Sequence, residues 1–417
     1  MAHLDDPIMA LEDRHGDLTF GLEIEFLTPV LEGSDKDPHP AEPREVLRVS
    51  SVETSHDPDY CDHDWIDQST NFLLESLQKI PDLVVKREEE DEYVAPHDNV
   101  LKYDHWRLAK DSSVQMPKLP GYPGSQFPAY HWDGREVTSK VLSSTDPDRV
   151  RQITEVCRAI RLHRVHLNEN TSIHVHVGRG DDGFTLNTVK KLITFLWFAD
   201  VKLFELHHPS RLKNFYCRPI SEYSRLTDVD HTGIIGTVDP EGLEQMSQHV
   251  PETMKTMKEG AYRNKYVQLK QMWGTDQVVD IAESMLIKKT SINLVQPRGS
   301  VGFRRFMPKG KSGGNTNTFE FRHMAGSLDP EHMMHWANVC IGIVNFARNT
   351  DAASFREQFS KFLHPRPGGS YGGTDILDDL GLAKEAEFFR AKADSYQKGN
   401  LDYIQGGSED MVFVPPM

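Results

Sequence analysis

The stretch LTFGLEIEFL, residues 18–27, alternates apolar side chains with other side chains at every second position. Strict alternation over this length predicts a β-strand, whose successive side chains point to opposite faces. Glu23 and Glu25 then share one face, roughly 7 Å apart at about 3.4 Å per residue. Two like charges held side by side require a compensating cation, so this strand predicts a binding site early in the chain.

The composition limits the classes of function. The 417 residues carry 63 acidic and 47 basic side chains, and this net charge of −16 argues against a nucleic-acid or anionic-membrane partner. Four widely separated cysteines without a CxxC pair are typical of reduced thiols. The N-terminal segment lacks the apolar core of a secretory signal, and the most apolar runs are shorter than the ~20 residues of a membrane span. These features predict a soluble, cytoplasmic, globular protein.

The order of periodic and polar segments predicts one large domain over residues 1–364. Within it we expect a surface excursion rich in Asp, Pro, His and Ser at 31–68 and a basic, glycine-rich loop at 295–317. Asp329 and Pro330 have the chemistry of a helix start. Residues 365–417 predict a linker, one amphipathic helix at about 375–393 and a polar tail.

Three further predicted strands repeat the pattern of the first. Their shared polar faces carry His174 and His176 in SIHVHVG, Glu320 and Arg322 in NTFEFRH, and Glu136 in GREVTSKVL. An antiparallel sheet with one solvated face explains alternation alone, but such faces usually carry Thr, Ser, Lys and Gln. Acids, imidazoles and an acid–guanidinium pair instead favour a shared face that binds a divalent metal. Glu23 and Glu25 are then most simply metal ligands.

Known motifs do not account for the His-x-His pair or for the basic loop. A cupin would carry a Glu about four residues after His176, and amidohydrolase-type zinc enzymes place His-x-His on their first barrel strand. The GKSGG segment lacks the first glycine of a Walker loop, because Arg305 stands there. A polyphosphate near the metals would suit the five cations of this loop, although a solvated surface loop is the alternative: Arg298, Arg304, Arg305, Lys309 and Lys311.

With these residues identified, the chain resembles the amidoligase family of the glutamine-synthetase-like carboxylate–amine ligases. The matching segments occur in the order of the family: FGLEIEF (20–26), WRLAKDSS (106–113), GREVTS (134–139), SIHVHVG (172–178) and TFEFRHMAGSLDPE (318–331). The resemblance implies an α+β fold, in which a curved, mainly antiparallel sheet carries helices on its convex face. It also implies that the concave face holds ATP and Mg²⁺, or Mn²⁺ in its place.

The resemblance also implies roles for individual residues. By analogy with glutamine synthetase and glutamate–cysteine ligase, the metal ligands would be Glu23, Glu25, Glu136, His174 and Glu320. His176 would lie beside the substrate or the nucleotide, and Arg322 would contact the transferred phosphoryl group or the substrate carboxylate. Asp111, Ser112 and Ser113 match a family stretch to which we assign contact with the substrate or nucleotide.

A ligase of this kind transfers the γ-phosphoryl group of ATP to a small carboxylic acid such as an amino acid, and an amine then displaces phosphate. We expect Arg322 to stabilise the phosphoryl group, Asp111 to act as general base, and the basic loop to bind phosphate through Arg304, Arg305, Lys309 and Lys311. In the segment 208–300, four side chains could bind the substrate carboxylate or equally make surface contacts: Arg211, Asn214, Arg218 and Arg225.

Two other classes of function could use the same polar face. A metal-dependent hydrolase of amides or esters would need a metal but no nucleotide, so dependence on ATP separates it from a ligase. A non-catalytic binding protein with a degenerate ligase fold predicts that ligands have been lost, whereas the five candidate ligands and Arg322 are all present. The sequence leaves open the identity of the acid and the amine and the oligomeric state.

Overall fold

The computed structural model describes residues 16–50, 64–88, 103–116, 130–180, 182–229, 239–257, 260–288, 297–307, 316–364, 371–400, 404–405 and 413–417. Two predicted phosphate-binding residues, Lys309 and Lys311, lie outside these residues, as do residues 365–370 of the predicted linker. Among the residues described, no helix has both the length and the apolar composition that crossing a bilayer requires.

The strands described range from two to fourteen residues in length. In chain order they are β1 (Thr19–Glu32), β2 (Leu47–Val49), β3 (Val85–Arg87), β4 (Trp106–Lys110), β5 (His131–Thr138), β6 (Leu142–Ser143), β7 (Leu167–Asn168), β8 (Ser172–Gly178), β9 (Val301–Gly302), β10 (Phe319–Ala325) and β11 (Ile404–Gln405). The four strands predicted to have a polar face are confirmed as β1, β5, β8 and β10.

Helices fill most of the chain after β8. In chain order the α-helices are α1 (Asp64–Leu77), α2 (Asp148–Arg161), α3 (Leu186–Leu203), α4 (Ile220–Tyr223), α5 (Pro240–His249), α6 (Gly260–Trp273), α7 (Val278–Ser284), α8 (Pro330–Asn349), α9 (Ala352–Leu363), α10 (Gly373–Asp379) and α11 (Ala383–Gln397). The predicted start of α8 is confirmed, because the Asp329 carboxylate accepts a hydrogen bond from the Glu331 backbone N–H at 3.0 Å.

The backbone contacts divide the chain into two compact units. The described parts of 1–20, 175–323 and 335–399 form the first unit, and those of 21–174, 324–334 and 400–417 form the second. The boundary falls inside four elements, β1, β8, β10 and α8. The predicted division into a domain at 1–364 and a C-terminal extension stays a prediction.

The second unit contains most of β1 and the strands beside it. Its strand order is β3-β4-β5-β1, and β1 also pairs with β2, β6 and β8. β5 is antiparallel to both β4 and β1, whereas β2 and β3 run parallel to their neighbours. The register places Glu25 opposite Glu136 and Glu23 opposite Thr138. Because opposed residues of an antiparallel pair share a face, the predicted ligands of β1 and β5 lie on the same face.

Strand β1 is confirmed and extends further than its alternating stretch. Leu22, Ile24 and Phe26 have no exposed surface, as expected for one buried face. From Phe26 to Leu31 every residue is buried, so alternation ends where both faces become covered. Within the predicted surface excursion, residues 47–49 pair with residues 30–32, and Val49 is buried there.

The first unit combines the ends of the sheet with a helical core. Its strand β10 is the neighbour of both β8 and β9, and it pairs antiparallel to β9 with Glu320 opposite Gly302. Trp197 of α3, Trp273 of α6 and Trp336 of α8 are fully buried. The fold is therefore mixed α+β with an open, mostly antiparallel sheet, as predicted. The curvature, the helices on a convex face and the glutamine-synthetase-like arrangement stay predictions.

The prediction of one helix at about 375–393 was wrong. Two helices, α10 and α11, occupy this segment, and Gly381 between them has a φ of +76°. The backbone N–H groups of Leu382 and Gly381 bond to the carbonyls of Leu377 and Asp378 at 2.9 and 3.0 Å, which is a Schellman motif. The sequence did not predict this break, because apolar residues recur at helical spacing on both sides of the single glycine.

We expect Gly381→Ala to destabilise the protein by about 1 kcal/mol, because a Cβ atom is strained in the left-handed region. Thermal unfolding followed by circular dichroism measures the change. Gly183→Ala is the matched control, since Gly183 is exposed, lacks a positive φ and leaves room for a methyl group at ordinary van der Waals distances. Equal melting temperatures for the two variants would contradict the assignment.

Candidate active site

Five side chains of the second unit converge on one face of the sheet. Two overlapping groups each bring potential ligand atoms within 4.8 Å of one another: Glu23, Glu136 and His174, and Glu25, Asp111 and Glu136. We name these five residues the carboxylate cluster. The register between β1 and β5 explains most of the carboxylate cluster, because it sets Glu25 opposite Glu136. On the other side of β5, Ala109 of β4 lies opposite Glu136, and Asp111 follows two residues later. Their roles as metal ligands stay predictions.

A hydrogen-bonded chain links the two glutamates of β1 through β8. His174 Nδ1 lies 2.6 Å from Glu23 Oε2, and His174 Nε2 lies 2.8 Å from Ser172 Oγ. Ser172 Oγ donates to Glu25 Oε2 at 2.6 Å. Because the hydroxyl has one proton and gives it to Glu25, it accepts from Nε2. The imidazole of His174 thus bridges Glu23 and Ser172, and Ser172 continues the chain to Glu25.

Glu136 shows that negative charge accumulates in the carboxylate cluster. Burial first, and then the neighbouring charges of Glu23, Glu25 and Asp111, raise the pKa of Glu136 well above its ordinary value, while a hydrogen bond from Thr138 opposes the shift. The Thr138 hydroxyl donates to Glu136 at 2.9 Å. A divalent cation would relieve the repulsion, and oxygen-rich groups of this kind suit Mg²⁺ and Mn²⁺. The donor set thus fits a divalent metal.

The turn that carries Asp111 depends on a glycine in β5. The Asp111 backbone N–H donates to the Gly134 carbonyl at 3.0 Å, and the Asp111 carboxylate accepts from the Ser113 N–H at 2.7 Å. A Cβ on Gly134 would lie 2.1 Å from the Val114 carbonyl oxygen. Only glycine allows this close approach, which sequence reasoning missed. Ser112 is exposed beside Asp111, and contact of Ser112 and Ser113 with substrate stays a prediction.

A second polar site lies wholly within the first unit. We name it the arginine pocket, and its charged lining residues are Arg298, Arg304, Glu320 and Arg322. Glu320 forms an ion pair with Arg322, and His176 Nε2 lies 3.8 Å from Glu320 Oε1. Its remaining walls are largely apolar: Met285, Leu286, Ile287, Pro297, Gly299, Val301, Gly302 and Phe303.

The three guanidinium groups of the arginine pocket affect one another. Burial and the charges of Arg298 and Arg322 lower the pKa of Arg304 to about 10. Burial and the charge of Arg322 also lower the pKa of Arg298. Because one carboxylate faces three guanidiniums, the pocket has an excess of positive charge and is suited to an anion. The sequence alone marks Arg298 only as one cation of the basic loop.

A buried aspartate ties the pocket to the helical core. Asp200 of α3 has no exposed surface, and its carboxylate accepts hydrogen bonds from the Ser300 hydroxyl at 2.6 Å and the Ile220 N–H at 2.7 Å. His323 Nε2 lies 2.8 Å from the same carboxylate. Asp200 thereby anchors the residues before β9 and the strand β10 that carries Arg322. No short motif signals it, because its partners lie 20 to 123 residues away in sequence.

The other predicted binding residues occupy varied positions in the first unit. Arg211 is almost fully buried and donates to the Arg322 carbonyl at 2.7 Å. The Asn214 side chain accepts from the Tyr216 N–H, and the Arg218 guanidinium lies 5.3 Å from the centre of the Tyr223 ring. Arg225 is exposed, and the Arg305 carbonyl accepts from the Asn317 N–H at 3.1 Å. Their binding roles stay predictions.

Comparison with known proteins bears on this geometry. The family model described as "Putative amidoligase enzyme" matches residues 16–344, a span that includes the carboxylate cluster and the arginine pocket. Comparisons with curated proteins and with solved structures give no significant match. The family match confirms the resemblance found from the sequence motifs, and it implies a ligase. Because the family model matches well over half of the chain, the chain belongs to the amidoligase family.

Proposed function

We propose that the protein is an ATP- and Mg²⁺-dependent ligase that joins a small carboxylic acid to an amine. The observation that carries this proposal is the carboxylate cluster, in which Glu23, Glu25, Asp111, Glu136 and His174 form two overlapping groups of potential ligands. Membership of the amidoligase family supports a ligase in particular. A hydrolase would use the same ligands without a nucleotide, so a binding test with and without nucleotide separates the two.

The chemistry explains why such an enzyme needs a nucleotide. A carboxylate is a poor acyl donor, since its leaving group would be oxide. Transfer of the γ-phosphoryl group from ATP to a carboxylate oxygen gives an acyl phosphate and ADP. The amine nitrogen then attacks the acyl carbon, phosphate leaves with the bonding electrons of the C–O bond, and the nitrogen loses a proton.

The carboxylate cluster would supply the metal site. Glu23, Glu25, Glu136 and His174 would hold Mg²⁺, which when bound neutralises charge on the phosphoryl oxygens. Asp111 lies in the same group, and this position favours a ligand role over the predicted role of general base. Ser172 would orient His174 through the hydrogen bond between them.

The arginine pocket would stabilise anionic groups. We assign Arg322 to the transferred phosphoryl group, with Arg304 adding positive charge. The ion pair with Glu320 would hold the Arg322 guanidinium in one orientation, and the role of Glu320 as a metal ligand stays a prediction. His176, hydrogen-bonded to Thr318 at 3.3 Å, would lie beside the nucleotide or substrate.

The first prediction concerns ligand binding. Mg²⁺ with a non-hydrolysable ATP analogue at 100 times its dissociation constant should stabilise the protein by ~2.7 kcal/mol and raise Tm by about 3 °C. Glu136→Gln should abolish the shift, whereas Glu75→Gln, at an exposed position of α1, should retain it. A shift with Zn²⁺ or Mn²⁺ alone and none with nucleotide would instead support the hydrolase.

The second prediction concerns pH. Because the folded state raises the pKa of Glu136 above the ordinary value of 4.5, this group lowers the free energy of unfolding as pH rises above 4.5. Glu136→Gln removes the effect, so in chelator the variant should be more stable than wild type at about pH 8. The advantage should shrink as pH falls toward about 5. Denaturant titrations across this range measure it, and a pH-independent difference would count against the assigned repulsion.

The third prediction concerns catalysis. Arg322→Ala should lower the rate of ADP release with a productive acid–amine pair on the order of 10³-fold, the size of effect known for arginines that stabilise transferring phosphoryl groups. Arg263→Ala, at an exposed position of α6, should leave the rate unchanged. A loss smaller than about tenfold in Arg322→Ala would contradict the assigned role.

A further inference from the structure

We propose that the arginine pocket binds the acid substrate, that Arg298 binds its carboxylate, and that the apolar wall selects acids with an apolar body. This inference rests on the proposed ligase function and adds a substrate class to it. The sequence marks Arg298 only as one of the five cations of the basic loop that would suit a polyphosphate, and gives it no role toward the acid substrate. The contacts of this one side chain and of its backbone support the assignment.

The Arg298 side chain has hydrogen-bonding capacity that the described residues do not use. Its Nη1 atom is buried from solvent and has no hydrogen-bond partner among the described residues. A charged donor in this state is costly to bury, and a carboxylate satisfies a guanidinium through two parallel hydrogen bonds. Arg298 lines the pocket, so a small rotation of its guanidinium would bring this unused donor to an anion bound there.

The backbone of Arg298 is held firmly in place. Its carbonyl accepts from the Arg218 N–H at 2.8 Å, and the Ser300 N–H donates to the Arg218 carbonyl at the same distance. Ser300 in turn donates its hydroxyl to Asp200. When the backbone on either side of a residue is held by hydrogen bonds, its side chain loses less conformational freedom on binding a ligand. Residues 215–218 thus act here by positioning Arg298.

The charges leave Arg298 available for an incoming anion. Glu320 lines the same pocket, but its ion pair is with Arg322. Two side chains predicted from sequence to bind the carboxylate have protein contacts of their own: Arg211 reaches a main-chain carbonyl, and Arg218 lies over the Tyr223 ring. The excess positive charge of the pocket therefore centres on Arg298 and Arg304.

The apolar lining separates an organic acid from a nucleotide phosphate as the ligand of Arg298. Six lining residues have apolar side chains: Met285, Leu286, Ile287, Pro297, Val301 and Phe303. Phosphate sites are built mainly from backbone N–H groups and polar side chains. A small pocket with many apolar contacts and a few charged groups that fix orientation suits a carboxylate attached to a short aliphatic body.

Calorimetric titration of the full chain without nucleotide tests the proposal, with hexanoate, hexanamide and inorganic phosphate as probes. We expect saturable binding of hexanoate and none of hexanamide, which lacks the charge. Arg298→Met should weaken hexanoate binding at least about tenfold, the value of a charged hydrogen bond. Arg298→Lys, which keeps the charge but not the fork of donors, should bind hexanoate with intermediate affinity. Arg263→Met is the matched control.

The outcomes separate this inference from the proposed function. Unchanged hexanoate affinity in a folded Arg298→Met variant would overturn the assignment, and so would binding of phosphate in place of hexanoate. Equal affinity of wild type for hexanoate and hexanamide would overturn it without any variant. If the nucleotide analogue still shifts Tm while no carboxylate binds, the inference fails and the ligase proposal stands. If hexanoate binding depends on Arg298 while nucleotide has no effect, the ligase proposal fails and the carboxylate site stands.

Discussion

Repulsion between Glu25 and Glu136, which the antiparallel register sets opposite each other, is the constraint on which the candidate site depends. Like charges directly opposed in a sheet are destabilising, and Glu23 and Asp111 add to the same field. The fold tolerates them because β8 places Ser172 and His174 between the glutamates of β1. A sheet with no binding task gains nothing from this arrangement, whereas a cation-binding site requires it.

Sequence periodicity was sufficient for the local part of the site. Alternation alone placed Glu23 and Glu25 on one face, and the structure joins Glu136 and His174 to them. The family motifs added Asp111 but not its place within the cluster. Contacts between distant segments could not be predicted from the sequence, since neither the close approach at Gly134 nor the anchoring by Asp200 produces a periodic pattern of residues.

In the segments after β8, too, the sequence predicted local features of the fold and missed those that depend on particular backbone contacts. The start of the long helix α8 was predicted, because Asp329 and Pro330 mark it. The break at Gly381 went unnoticed, since its cause is one left-handed residue whose hydrogen bonds reach back to Leu377 and Asp378. Likewise, the basic loop was identified by composition, but the distinct place of Arg298 follows from its pairing with residues 215–218.

The chain of hydrogen bonds from Glu23 through His174 and Ser172 to Glu25 has a consequence for the thermodynamics of metal uptake. A nitrogen that donates to a carboxylate cannot at the same time offer its lone pair to a cation. If a cation binds through His174, as proposed, the proton of the hydrogen bond between His174 and Glu23 would be released to the solvent. The heat of association would then include the ionisation enthalpy of the buffer, and the cluster would work as an exchanger of protons for metal.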